Sequence, residues 1–236
     1  MTVRKTVSDS RRSAPSWRTP DSIAKMSLRD GVLGSNLGYS SFLKLIRADK
    51  FLRTFADEAL GLKPGARLLD LGCGNGALAA HVPGVDYTGI DHNQSYIDAA
   101  EERFGGPHRR FICEDLDRLA ETEGGTFDAV CAVGVLHHLD DRLATDVITT
   151  ALRLLTPGGR FVSVDPVFDP RQRTIARLLM AIDRGKFVRH PEHYRHLAAD
   201  AGAAQTDRTR FDLNPFPYTH FLMEMTASKQ AIEQDA

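Results

Sequence analysis

Charge imbalance is the first thing this sequence lacks. Its 30 basic and 31 acidic side chains leave a formal net charge of −1. No global field therefore draws the chain to nucleic acid or to an anionic membrane. Long apolar runs are missing too; none approaches the roughly 20 residues of a membrane span. Cysteine is sparse. Cys73, Cys113 and Cys131 show neither metal-ligand spacing nor a secreted disulfide framework. All three fall in or beside candidate core strands, so small buried residues in a reducing cytoplasm are expected. The first 20 residues lack the apolar core of a secretory signal. Arg4, Lys5, Arg11, Arg12 and Arg18 face only Asp9 there, which predicts a disordered arm over 1–20.

What remains is an ordinary globular composition over 236 residues, enough for one large α/β domain with a cap. Its most informative stretch is Leu68 to Gly76, reading LLDLGCGNG. Arg67 to Leu71 has the pattern of a buried strand. Gly72, Gly74 and Gly76 follow at once, letting the backbone turn sharply and a ligand approach the main chain. Ala77 to His81 reads as a helix start. A second candidate strand, Tyr87 to Ile90, ends at Asp91, where an acid can accept hydrogen bonds from ribose hydroxyls. Two cofactors fit this much, a nicotinamide dinucleotide or S-adenosylmethionine. The dinucleotide fingerprint places its third glycine three positions after the second; here it comes two after.

Further elements alternate in order. An amphipathic helix is predicted over Ser41 to Leu60 and another over Ser95 to Phe104. Strands are predicted at Arg110 to Cys113, Phe127 to Val133 and Arg160 to Val164, with a helix over Ala144 to Leu155 before the last. Such alternation demands a parallel sheet with helices on both faces. Residues 166–190 break the pattern, with Ile175, Leu178, Leu179 and Ile182 on one face, and read as an insertion. Pro191 to Ala201 is the next helix. Ala203 to Leu213 and Tyr218 to Ala227 are the last strands.

Taken together, LLDLGCGNG, GIDHN (Gly89 to Asn93), FICEDL (Phe111 to Leu116), the run Phe127 to Leu139 ending in LHHL, and LLTPGGRF (Leu154 to Phe161) resemble class I S-adenosylmethionine-dependent methyltransferases of the small-molecule type. The resemblance spans about residues 60–165. It implies a Rossmann-like, doubly wound seven-stranded sheet whose last strand runs antiparallel. That sheet would carry an N-terminal helical lid, a core over 60–165, the insertion 166–190 as cap, and a C-terminal helix and strands over 191–227. It also implies S-adenosylmethionine as cofactor and S-adenosylhomocysteine as product. Carried over residue by residue, Gly72, Cys73 and Gly74 would approach the methionine portion, with Asp70 supporting the loop. Asp91 would take the ribose hydroxyls, with His92 and Asn93 beside it. Asp115 would accept from the adenine amino group, and the Leu116 amide would meet a ring nitrogen. Val133 to Val135, Gly134 included, would wall the methyl-transfer region, and His138 is a further candidate for contact with the cofactor. No acid–acid–Asn set stands where metal-dependent relatives bind magnesium, so no metal is expected.

Methyl transfer needs alignment and exclusion of water, with a base only for some acceptors. His137 and His138 follow strand four, where acceptor pockets of such folds lie, and either can take a proton. His220 is a third candidate base and also a candidate acceptor contact, as are Tyr39 and Tyr218. Arginines cluster in the insertion; Arg171 and Arg189 are the two that would grip an acidic acceptor. The reading is methyl transfer to oxygen, nitrogen or carbon of a small metabolite by a cytoplasmic monomer or homodimer. Its rivals are a nucleic-acid methyltransferase, a binding protein that uses the cofactor for other chemistry, and a nicotinamide-dependent oxidoreductase.

Overall fold

The structure, a computed structural model, describes residues 49–174, 176, 177, 186–213 and 218–227. Tyr39, the arm over 1–20, the insertion's apolar residues Ile175, Leu178, Leu179 and Ile182, and the tail after Ala227 lie outside the described residues. So does the start of the helix predicted from Ser41; it is helical from residue 49 and closes in a π-helical turn, Ala56–Leu60.

Seven strands form one sheet in the order β3-β2-β1-β4-β5-β7-β6. These are β1 (Arg67–Leu71), β2 (Asp86–Ile90), β3 (Arg109–Ile112), β4 (Phe127–Val133), β5 (Leu155–Pro166), β6 (Ala203–Arg210) and β7 (His220–Ala227). β7 is antiparallel to both neighbours, β5 and β6, and the other pairings are parallel. The family's sheet topology is therefore present. Helices α1 (Gln94–Phe104), α2 (Leu116–Glu123), α3 (Asp141–Leu154) and α4 (Pro191–Asp200) connect the strands.

Period-two alternation sorts the strand side chains onto two cores. Leu69, Val130, Phe161 and Phe221 pack with Ile148 of α3 and Tyr194 of α4. Leu68, Ala129, Val162 and Leu222 pack with Phe55, Leu78 and Ile97 on the opposite face. Because both faces are covered, β1 and β4 read as nearly continuous apolar runs. β1 pairs with β2 on one side and β4 on the other, so chain order reverses there. That switch point is where open α/β sheets hold ligands, beyond the carboxyl ends of the strands.

Three expectations need correction. Cys113 is exposed, while Cys131 is buried and Cys73 half-buried; β3 stops at Ile112, so the thiol stands past the strand end. α2 carries no predicted helix, because its buried face is only Leu119 and Ala120 among charged neighbours. β5 begins at Leu155 rather than Arg160. Phe127 pairs with Leu155 and Ala129 with Arg160, so Thr156 to Gly159 bulge out between them. A Cβ on Gly159 would stand 3.0–3.1 Å from three carbonyl oxygens, a tight fit for any side chain there.

Candidate active site

The glycine turn is built for close approach. The Gly72 and Cys73 amides donate to the Ile90 carbonyl at 2.8 and 3.1 Å, tying the turn to the end of β2. Gly72 has φ +66°, and a Cβ there would come within 2.9 Å of Val135. Gly74 has φ +53°, yet a Cβ on it would meet nothing within 4 Å. The backbone is thus exposed toward open space at Gly74. Its amide donates to Asp91 Oδ2 at 3.0 Å, and the Asn93 amide donates to Asp91 Oδ1 at 2.9 Å. Each carboxylate oxygen keeps a further lone pair for a hydroxyl. Asn93 itself caps α1, its Oδ1 accepting from the Ser95 amide and hydroxyl at 3.0 and 2.7 Å. The exposed His92 ring stands 3.8 Å from Asp91 Oδ1.

Asp70 lies beneath this turn and is buried. Tyr87 donates to its Oδ2 at 2.5 Å, and the Cys131 thiol lies 3.5 Å from its Oδ1. Burial dominates over these bonds and pushes the carboxyl up to about 6. At the end of β3, Asp115 is the residue preceding α2, and Leu116 opens that helix. The Leu116 amide is one of the helix's first N–H groups, which have no intrahelical acceptor. Gly72, Asp91 and Asp115 therefore follow three adjacent strands along one rim.

A second group of polar side chains sits beyond β4 and β5. Gly134 turns the chain at φ +65°, its amide held by the Val164 carbonyl at 2.8 Å. A short 3-10 helix, Leu136–His138, follows. His137 is buried, and both its backbone amide and Nδ1 meet Asp165 Oδ1, at 3.1 and 2.9 Å. His138 is exposed, with its ring centroid 4.0 Å from that of His137. The sequence pattern does not point to Asp165. The register of β4 on β5, Val133 with Val164, is what puts it beside His137. His220, the first residue of β7, is buried, with the ring centroids of Phe51 and Tyr218 5.0 and 5.4 Å away.

The arginines are used otherwise than expected. Arg189 is buried and all five of its guanidinium N–H groups are taken. Nε and Nη2 donate to Asp141 Oδ1 at 2.9 and 2.8 Å. Nη1 donates to the Leu136 and Phe187 carbonyls at 2.9 and 3.0 Å, and Nη2 also to Leu139 at 2.6 Å. No N–H is left for an acceptor. Instead the side chain clasps the loop that carries His137. Arg171 pairs with Asp169 through Nε and Nη2 at 2.9 and 2.8 Å and lies over Phe211. That pairing holds the Asp169 carboxyl down to about 2.

Comparison with known proteins decides what this rim belongs to. Residues 68–159 match the model of a methyltransferase domain family. A "Ubiquinone biosynthesis O-methyltransferase" of Psychrobacter arcticus is 30% identical over 176 residues, covering 68% of this chain and 67% of the relative. The chain belongs to the S-adenosylmethionine-dependent methyltransferase family. This methyltransferase is also 34% identical over 167 residues to a "27-O-demethylrifamycin SV methyltransferase" of Amycolatopsis mediterranei, covering 64% of this chain and 61% of the relative. Its fold matches a solved geranyl diphosphate methyltransferase in complex with the cofactor, at TM-score 0.62 and 20% identity, over 84% of this chain and 93% of that one. The methyltransferase's cofactor is S-adenosylmethionine, and the open side of Gly74 beside the two-oxygen acceptor Asp91 fits it.

Proposed function

We propose that this methyltransferase methylates a hydroxyl oxygen of a small metabolite, with His137 as base and Asp165 as its orienting partner. The observation that carries this is the 2.9 Å contact from His137 Nδ1 to Asp165 Oδ1, at the acceptor side of the rim. A base has a use when the nucleophile is a hydroxyl, which attacks poorly until its proton leaves. The names of the relatives, both O-methyltransferases, support the same atom.

The cofactor, when bound, supplies a methyl group on a positively charged sulfur. Asp91 would take the ribose hydroxyls with the second lone pairs of its two oxygens. Asp115 would accept from the adenine amino group, and the Leu116 amide would donate to a ring nitrogen. The backbone of Gly72, Cys73 and Gly74 would hold the methionine portion, and Val133 and Gly134 would wall the transfer region against water. The Nδ1–H bond to Asp165 fixes the His137 tautomer, so the lone pair sits on Nε2. Nε2 would take the hydroxyl proton, leaving the oxygen free to receive the methyl group that the bound cofactor would supply.

The test is isotope-labelled methyl transfer from S-adenosylmethionine into a metabolite extract, with the product bond read by NMR. A methoxy product is expected. A new carbon–methyl or nitrogen–methyl bond would refute the choice of oxygen. Tight cofactor binding without any transfer would favour a binding protein that uses the cofactor otherwise.

A further inference from the structure

Three groups of polar side chains meet the acceptor side of the rim: the His137–Asp165 pair, the Arg189 clasp and His220. The Arg189 clasp is spent on Asp141 and the backbone, and the His137–Asp165 pair is given to the base, although Asp165 Oδ2 is buried there without a partner. His220 has neither use. Its Nδ1 is buried and has no hydrogen-bond partner. A buried polar atom without a partner carries a cost of about 1–3 kcal/mol, so native proteins rarely leave one without a reason. β7 runs against its neighbours, which puts its first residue at the rim where the parallel strands end, opposite Pro166. Two aromatic rings contact the imidazole, Phe51 from the helix at 49–55 and Tyr218 from the approach to β7.

We propose that His220 reads the acceptor: its Nδ1 hydrogen-bonds an uncharged polar group on a flat, hydroxylated ring that lies against Phe51 and Tyr218. This rests on the methyltransferase reading above and narrows its acceptor. Two further observations agree. Burial, reinforced by nearby His137, holds the imidazole down to about 4, so it is uncharged at neutral pH and exchanges hydrogen bonds rather than attracting an anion. Such a group is a poor proton acceptor, because a useful base titrates near the working pH. His220 is therefore an acceptor contact, not the base. Arg171 pairs with Asp169, and Arg189 has no N–H left, so neither arginine calls for an acidic acceptor.

The experiment uses the full chain with labelled S-adenosylmethionine and a panel of simple phenols. One half of the panel carries a second uncharged oxygen substituent and the other half only the accepting hydroxyl. The wild type is expected to prefer the first half. His220→Phe should raise KM for that half by about tenfold, the loss of one hydrogen bond, with kcat within about twofold. His220→Asn places an amide near the Nδ1 position and should restore most of the affinity. Cofactor affinity by calorimetry should be unchanged in both variants, and it reports whether each is folded. If His220→Phe does not fold, the comparison of wild type with His220→Asn and His220→Leu carries the test. Equal KM values across the panel in wild type and variants would overturn the role of His220. Methylation of the metabolite extract with no turnover of any flat hydroxylated probe would overturn the acceptor class while leaving the methyltransferase reading standing.

Discussion

Replacing Asp70 by Asn should change how stability responds to pH, and the structure gives the sign. The folded carboxyl sits at about 6 against 3.8 for the free group, raised mainly by burial. The folded state therefore holds this proton more tightly than the unfolded chain does. The resulting stability is fully present below 3.8 and is lost as pH rises through about 6. Moving the carboxyl from 3.8 to about 6 makes the whole effect about 3 kcal/mol. About half of it falls between about pH 5 and about pH 8, because the unfolded group is already mostly ionised at the lower value. Asn accepts from Tyr87 through its carbonyl and does not titrate. Urea unfolding of both proteins at the two pH values should show the wild type losing about 1.5 kcal/mol relative to Asp70→Asn on going up. In melting temperature this is roughly 3–6 °C for a domain of this size. A difference that does not vary with pH would refute the argument. It would mean that Tyr87 and Cys131 compensate burial fully and that Asp70 is ionised throughout.

Other outcomes follow from the same geometry. Asp91→Ala should weaken S-adenosylmethionine binding about 100-fold by calorimetry, since two charge-assisted bonds at about 1.5 kcal/mol each are lost. The Gly74 and Asn93 amides lose their acceptor in the same change, but helix α1 should keep its Asn93 cap. Asp165→Asn should lower kcat about 100-fold with cofactor affinity intact, because the His137 tautomer is no longer enforced; an unchanged rate would leave proximity alone to explain transfer. Arg189→Ala should cost about 3 kcal/mol, read as a fall of about 6–12 °C in melting temperature, since it strands the buried Leu136 carbonyl and removes the donors to the part-buried Leu139 and Phe187 carbonyls.

The glycine turn, the order of the strands and the position of Asp91 are legible because each is a local pattern. β4, a seven-residue run buried except for exposed Asp128 and half-buried Val133, is legible to its last residue. α2 is not, since two buried residues among eight leave almost no helical period. The extra length of β5 is hidden because Thr156 to Gly159 look like a loop and are in fact a bulge within a paired strand. Asp165 is invisible for a different reason. It lies 28 positions from His137 and becomes its partner only through strand register, a long-range fact. Arg189 looked like a ligand-binding arginine because its partners are mostly backbone carbonyls, which no side-chain pattern announces.

The Arg189 clasp has a bearing on chimeras. Val167 bridges to Arg189, the Phe168 amide meets the Arg189 carbonyl at 3.0 Å, and the Phe187 amide meets the His137 carbonyl at 3.0 Å. The two feet of the insertion are thus stitched to each other and to the histidine loop. An insertion borrowed from a relative will not graft at its own ends alone. Residues 136–141, 165–168 and 187–189 have to travel as one cassette, and acceptor preference should travel with them.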